Sequence, residues 1–317
     1  METEKTETGK ESLASVILCT YNRAGLLKRT LESLAQQNIS PERYEVIVVD
    51  DGSDDETQEL VRDMSSRHSW IRLVSTGKNQ GSSRARNQGL KSATGYYVLF
   101  TDDDCIAQHN WVETMCAALD YEPIVAGSIK SPRSGYVKLC HNIAHFHPFM
   151  PGRRSGPVGF IAGANMGFQR GVIDELGGFD DGMMLAGDMQ LCLRARSKGY
   201  QPYLNKEAAV MHDPDYISLA GSVKNSYAHA SATILLRNEY RSLLGTPLIL
   251  RKPASILLSS PLIALAVTAK IYLGNPRLLA SFWTIPLVFF LKLVWCFGAA
   301  KGIRAGKKAK DSYGTGD

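Results

Sequence analysis

The sequence predicts an α/β fold: an open, mostly parallel sheet flanked by helices, with an apolar helical extension at the C-terminal end. Three observations predict it. Short runs rich in β-branched residues alternate with stretches of helical periodicity over residues 14–128. Polar and acidic residues gather where those runs end, the place where open parallel sheets bind ligands. Two apolar segments, 253–269 and 278–300, lie late in the chain.

Each element can be justified in order. Ala14–Cys19 is an apolar run expected of a strand buried on both faces. Gly25–Gln37 carries Leu26, Leu27, Leu31 and Leu34 at helical spacing. Tyr44–Val49 is a second strand and ends on Asp50-Asp51-Gly52-Ser53. Asp54–Met64 follows with acids in its first turn, as suits a helix N-terminus. Trp70–Val74 is a strand, Gly81–Ala93 a helix, and Tyr96–Thr101 a strand running into Asp102-Asp103-Asp104. A helix over Asn110–Leu119 and a strand beginning at Ile124 complete this half.

The 317 residues are 44% hydrophobic and 21% charged, which excludes a chain disordered throughout. Net charge is +5, and Lys301, Arg304, Lys307, Lys308 and Lys310 hold much of it at one end. That placement differs from the basic stripe of a nucleic-acid binder, and no nucleic-acid partner is expected. Six cysteines form no CxxC pair, which argues against a zinc ribbon and for reduced thiols. The expected organisation is a disordered tail (1–13), a nucleotide-binding half (14–128), an acceptor-side half (129–245), two apolar helices (246–300) and a basic tail (301–317). Residues 1–12 have no apolar core, so no cleaved signal peptide is expected there.

A spanning helix needs ~20 apolar residues, and both late segments are borderline. Trp283, Trp295 and the flanking Arg251 and Lys252 favour a membrane over a pair of buried helices. Lys270 and Arg277 in the connection weaken a two-span topology and keep a surface-lying or re-entrant hairpin open.

Asp102 and Asp104, two apart at a strand end, point to one side. Two converging carboxylates suit a hard divalent cation such as Mg²⁺ or Mn²⁺, whereas a helix cap needs only one Asp. Asp50 and Asp51 also read as a turn capping the next helix, so one of the pair is expected to be structural. Gly81–Leu90 fits neither common phosphate loop, although Arg84 or Arg86 can face a phosphate or ribose. Cys140, His141, His145 and His147 lack the paired half-sites of structural zinc. That segment, Lys138–Pro151, is expected to be a helix or mobile loop over the acceptor cleft. Tyr216 and Tyr227 read as core aromatics or an acceptor wall.

Ser15–Arg23, Val48–Ser53, Gly81–Leu90 and Tyr97–Asp104, in that order and spacing, resemble the nucleotide-binding half of family 2 glycosyltransferases of the GT-A fold. Gly163–Phe168, Gly177–Asp180 and Asp188 through Leu191, Arg194, Gly199 and Tyr200 are similar to that family's acceptor-side pattern. The resemblance covers residues 14–215. It implies that Thr20, Tyr21 and Asn22 line the nucleoside pocket and that Asp51 or Asp50 meets the base. Arg86 would support the nucleotide, Asp102 would lie near ribose and metal with Asp103 beside it, and Asp104 would ligate Mg²⁺ or Mn²⁺. Asp188 falls at the catalytic base, with a helix N-cap as its plain alternative. His212 falls where some members supply a further metal or diphosphate ligand, with a core histidine as the alternative.

The sequence departs from the pattern at Cys19 (commonly Pro), at Gly187 (often Glu) and at Gln190 (commonly acidic). Fewer acids around Asp188 ease its ionisation. The resemblance further implies an inverting transfer from a nucleotide-sugar donor, UDP first, to a hydroxyl. The apolar and basic C-terminal end suggests a lipid-linked or cell-envelope glycan acceptor at the cytoplasmic face of the cell membrane. A soluble transferase acting on a protein or small molecule, and a non-catalytic nucleotide-sugar-binding scaffold, are the alternatives. An intact Asp102, Asp104 and Asp188 set argues against the scaffold.

Overall fold

A computed structural model describes residues 13–132, 134–214 and 217–313, with side chains as far as residue 306. The expected N-terminal tail (residues 1–12) and Tyr216 lie outside the described residues, as do the side chains of Lys307, Lys308 and Lys310. The chain begins β1 (Ala14–Thr20), α1 (Ala24–Ala35), β2 (Tyr44–Asp50), α2 (Thr57–Arg67), β3 (Ile71–Ser75), α3 (Ser82–Ser92), β4 (Tyr97–Thr101). It continues β5 (Cys105–Ala107), α4 (Trp111–Leu119), β6 (Ile124–Lys130), α5 (Tyr136–Phe146), β7 (Gly156–Pro157), β8 (Asn165–Gln169), α6 (Arg170–Leu176), α7 (Gly187–Ser197), β9 (Tyr203–His212). Then come α8 (Leu219–Glu239), α9 (Arg241–Leu244), α10 (Pro253–Leu258), α11 (Ser260–Leu273) and α12 (Ile285–Tyr313).

One mixed sheet runs β3-β2-β1-β4-β8-β6-β9-β5, with β7 on β9. Its β3-β2-β1-β4 portion is parallel, as expected of strands joined by helical crossovers. Beyond β4 the sheet changes character. β8 is antiparallel to both β4 and β6, and β9 is parallel to β6 but antiparallel to β5.

β1 and β2 are buried nearly throughout, which is why their sequences are apolar runs rather than alternations. Helix α2 starts at Thr57, three residues later than expected. The difference has a cause: the Asp55 carboxylate accepts from Thr57 N (3.0 Å) and Ala24 N (3.1 Å), so the acids form a shared cap for two helices. Asn165 is buried and ties three strands to α4. Its Nδ2 donates to Ser128 O (2.9 Å) and Ala208 O (3.0 Å), beside the β6 irregularity at Gly127/Ser128. Its Oδ1 accepts from Trp111 Nε1 (2.9 Å).

The C-terminal helices pack on one another and on the sheet domain. Gly298 and Gly302 let α12 approach α8 closely: a Cβ at Gly298 would lie 2.2 Å from Tyr227 O, and one at Gly302 2.4 Å from Ser231 O. Ser231 Oγ also donates to Gly298 O (2.9 Å). The first apolar segment is broken between α10 and α11, with a proline in the first turn of α11, and α11 has only 14 residues. The second lies on the stretch Pro276–Gly306, 31 residues with a mean hydropathy of 1.8. By length and composition, this is the one helix among the described residues long and apolar enough to cross a membrane.

Glu45 closes the end of the parallel portion remote from the acids. Its carboxylate accepts from Ser15 Oγ (2.6 Å), Thr94 N (2.7 Å), Thr94 Oγ1 (2.8 Å) and Arg72 Nε (3.0 Å). Burial alone would raise its pKa, but the hydrogen bonds outweigh burial and hold it below the ordinary value. A depressed pKa contributes stability that is present above about pH 4.3 and lost as pH falls through the folded-state value. Glu45→Gln should therefore destabilise the fold by about 1–3 kcal/mol at pH 7. In denaturant unfolding, the gap between variant and wild type should close as pH is lowered below about 4.

Candidate active site

The turn after β4 sets the reactive groups. This turn, Asp102–Asp104, closes with Cys105 N donating to Asp102 O (3.2 Å), and its three carboxylates part company. Asp102 Oδ1 accepts from Arg86 Nη2 of α3 (2.9 Å). Asp103 Oδ1 accepts from Arg23 Nη1 (3.0 Å), and Arg23 also reaches Asp104 Oδ2 at 3.7 Å. Asp103 O accepts from Thr30 Oγ1 of α1 (2.9 Å). Burial pushes the Asp103 carboxyl up to about 7; Arg23 opposes the rise and Asp104 adds to it. Asp103 thus anchors the turn to Arg23 and α1.

Asp104 is turned toward His212. The antiparallel β5–β9 ladder pairs Cys105 with His212, and Asp213 N donates to Asp104 O (2.8 Å). His212 Nε2 comes within 3.4 Å of Asp104 Oδ1, and both residues are buried. Asp213, next in the chain, is held by ion pairs with Arg29 and Lys138. Among the described residues no three His, Cys, Asp or Glu side chains converge into a complete metal cage. Asp104 and His212 form a buried carboxylate–imidazole pair that could hold part of a metal's coordination, and Asp102 is paired with Arg86. A half-site of this kind suits a divalent ion whose other positions are filled by diphosphate oxygens and water.

Asp188 sits in the first turn of α7, one residue inside the helix; the N-cap is Ala186 in the left-handed conformation (φ +60°). Its Oδ2 accepts from Gly163 N (2.8 Å) and its Oδ1 from its neighbour Met189 N (2.8 Å). The Arg86 guanidinium packs against Gly163, where a Cβ would lie 2.8 Å from Nη2, and over the Phe179 ring at 5.6 Å. Arg86 therefore joins Asp102 to the Asp188 side of the cleft. Gly187 has a steric reason: a Cβ there would lie 2.5 Å from Ser83 Oγ. Any side chain at that position would have to displace Ser83 Oγ, which donates to Met183 O (2.7 Å).

The remaining expected donor residues cluster at the ends of β1 and β2. Thr20 O accepts from Asp51 N (2.9 Å). Tyr21 is exposed, and Asn22 takes a left-handed turn (φ +54°), with its Oδ1 accepting from Asp54 N (2.9 Å). Asp50 is buried and uses one oxygen on Ser53 N (3.0 Å) and the other on Gln58 Nε2 (2.7 Å), the work of a turn cap. Asp51 accepts from Gln80 N (3.0 Å), Gly81 N (2.8 Å) and Thr76 Oγ1 (3.0 Å), so it shapes the loop leading into α3. Cys19 is no nucleophile: burial pushes its thiol up to about 12.

The Cys/His segment is a packed helix, α5, and not a mobile loop. His141 Nδ1 meets Ser222 Oγ (2.8 Å) and His145 Nε2 meets Ser226 Oγ (3.1 Å), both on α8. Burial, with His212 and His229 adding, lowers His141 to about 3, and burial lowers His145 as well. Tyr227 packs under Lys301 of α12, with Nζ 5.3 Å from its ring, and so belongs to the helix interface. Sequence reasoning missed Arg23, which lies inside a quoted motif, and Asn142 and Ser83, for which no local signal exists.

A family model for glycosyl transferase family 2 matches residues 15–177, just over half of the chain. The chain belongs to this family. Its relatives include glycosyltransferase AglE of Haloferax volcanii, 26% identical over 188 residues, 59% of this chain and 62% of that protein. Another is glucosyl-dolichyl phosphate glucuronosyltransferase of the same organism, 27% identical over 224 residues, covering 62% and 68%. The chain spans less than two thirds of AglE and about a quarter of two validoxylamine A glucosyltransferases of Streptomyces hygroscopicus. Among solved structures, the mannosyltransferase PcManGT of Pyrobaculum calidifontis, in complex with GDP-Man and Mn²⁺, superposes with a TM-score of 0.62 at 21% identity. That match covers 93% of this chain and 88% of that one. The fold is GT-A, with the family 2 motifs at the strand ends described above.

Proposed function

We propose that this chain is a metal-dependent, inverting glycosyltransferase. It moves a sugar from a nucleoside-diphosphate sugar to a hydroxyl of a lipid-linked or cell-envelope glycan at the cytoplasmic membrane face. The observation that carries this reading is the cluster at the strand ends. A buried Asp104–His212 pair stands beside Asp102, which pairs with Arg86, and Arg86 packs against Gly163, whose N–H donates to Asp188.

The chemistry follows from the groups present. Thr20, Tyr21, Asn22 and the loop held by Asp51 accommodate the nucleoside, with Asp50 supporting them from behind. Arg86 orients Asp102 toward the ribose side. A Mn²⁺ or Mg²⁺ ion on Asp104 and His212 would neutralise the departing diphosphate. Asp188, its carboxylate oriented by Gly163 N, takes the acceptor hydroxyl proton as the oxygen attacks the anomeric carbon. One base opposite the leaving group gives single displacement with inversion, through an oxocarbenium-like transition state. The Haloferax volcanii relative named for glucosyl-dolichyl phosphate supports a lipid-linked acceptor.

The exposed apolar side chains of the C-terminal helices support the membrane. Leu258 is 85% exposed, Leu262 70%, Leu273 73% and Phe282 66%. A soluble surface rarely gathers so many large apolar groups without a partner. Arg251, Lys252, Lys301 and Arg304 flank them, as suits an anionic leaflet.

Asp188→Asn should leave calorimetric binding of UDP, GDP, dTDP or CDP with Mn²⁺ unchanged while lowering sugar transfer by about 10²–10⁴-fold. Full transfer by this variant would remove Asp188 as the base. Asp104→Ala should abolish the metal dependence of nucleotide binding, and an unaltered Mn²⁺ response would count against the half-site. Serine at Leu258, Leu262 and Phe282 should weaken flotation with anionic vesicles by about tenfold or more per residue. Nucleotide binding should persist in those variants.

A further inference from the structure

Behind the half-site lies a buried amide with no place in the reaction described above. Asn142, on α5, is fully buried. Its Nδ2 donates to His212 O (2.9 Å) and to Ser131 Oγ (3.0 Å), and its Oδ1 meets His212 Nδ1 (2.7 Å). This arrangement admits one reading. A backbone carbonyl only accepts, so the Asn142 amide cannot be flipped without setting oxygen against oxygen. Its Oδ1 also only accepts, so His212 must carry a hydrogen on Nδ1. A neutral His212 then has a bare Nε2, and that lone pair faces Asp104 Oδ1 at 3.4 Å, with both side chains buried. A proton or a cation between them relieves that contact, and a divalent ion is the cation that the proposed reaction supplies.

We propose that Asn142 is the positioning residue of the metal half-site: it fixes His212 in the Nδ1–H tautomer and aims Nε2 at the ion held with Asp104. Ligating histidines commonly give their second ring N–H to such a partner, and losing the partner costs about 10–100-fold in metal affinity. The inference rests on the metal-dependent reading above. It adds a residue outside the motifs, supplied by a helix rather than by the sheet.

The test titrates Mn²⁺ into the full-length protein in the presence of UDP or GDP and reads free Mn²⁺ by electron paramagnetic resonance. Asn142→Ala should weaken Mn²⁺ binding about 10–100-fold. In a His212→Ala background, Asn142→Ala should cost nothing further, because its effect passes through His212. Equal Mn²⁺ affinity in Asn142→Ala and wild type would overturn the inference. So would a loss in the His212→Ala background as large as in wild type. A second measurement needs no folded variant at position 142: NMR of ¹⁵N-histidine-labelled, metal-free wild type should show His212 as the Nδ1–H tautomer. An Nε2–H tautomer there would overturn the assignment even if Mn²⁺ binds. Absence of Mn²⁺ binding by wild type would instead bring down the metal-dependent reading, and the inference with it.

Discussion

Three consecutive aspartates at the end of β4 impose the constraint around which this structure is arranged. Like charges so close in space and largely removed from water cannot stay together uncompensated. The fold answers by drawing on groups from different elements. Arg86 comes from α3 to Asp102, Arg23 comes from the turn after β1 to Asp103 and Asp104, and His212 of the last strand lies beside Asp104. The site exists only where these elements meet, so its assembly depends on the whole sheet. The β5–β9 pairing, only three residues long on the β5 side, does most to bring His212 into place.

Much of the donor half was legible in the sequence because its physics is local. Strands buried on both faces read as apolar runs, and β1 to β4 lie within a residue or two of their expected limits. Leu26, Leu27, Leu31 and Leu34 bury one face of α1 as their spacing requires. The later half was less legible because its strands pair over long separations. β8 joins β4 and β6 in the antiparallel sense, and nothing in Asn165–Gln169 alone says so. The same limit applies within the site. Asp104 and Asp188 are visible as motif residues, but that Asp102 faces Arg86, and Asp104 faces His212, is a property of the assembled sheet. Asn142 was invisible, since a single amide on a histidine-bearing helix has no pattern to read.

The C-terminal helices illustrate a different kind of signal. Gly298, Gly302 and Gly306 recur at every fourth residue, a spacing that lays small residues along one helix face. That face lets α12 close on α8 almost backbone to backbone at Gly298 and Gly302. The pattern lies in the sequence, but apolar length drew the reading toward membrane spans instead. The glycine face packs inward while Phe282, Phe290 and Phe297 stay exposed.

Helix α5 joins these two parts of the molecule directly. On one side Asn142 bonds His212. On another, His141 and His145 bond Ser222 and Ser226 of α8. Ala144 O accepts from Lys292 Nζ of α12 (2.5 Å), so the single lysine in that apolar stretch is turned inward to the domain. Burial lowers the pKa of His141 and His145, so they serve as neutral hydrogen-bonding groups and place no charge behind the Asp104–His212 pair. The separation between the Asp104–His212 pair and the exposed apolar face is therefore set by packed helices. In a transferase working at a bilayer, such a fixed separation would determine how far above the lipid an acceptor hydroxyl must stand to reach Asp188. That height would select among acceptors by reach, without any additional contact to the sugar.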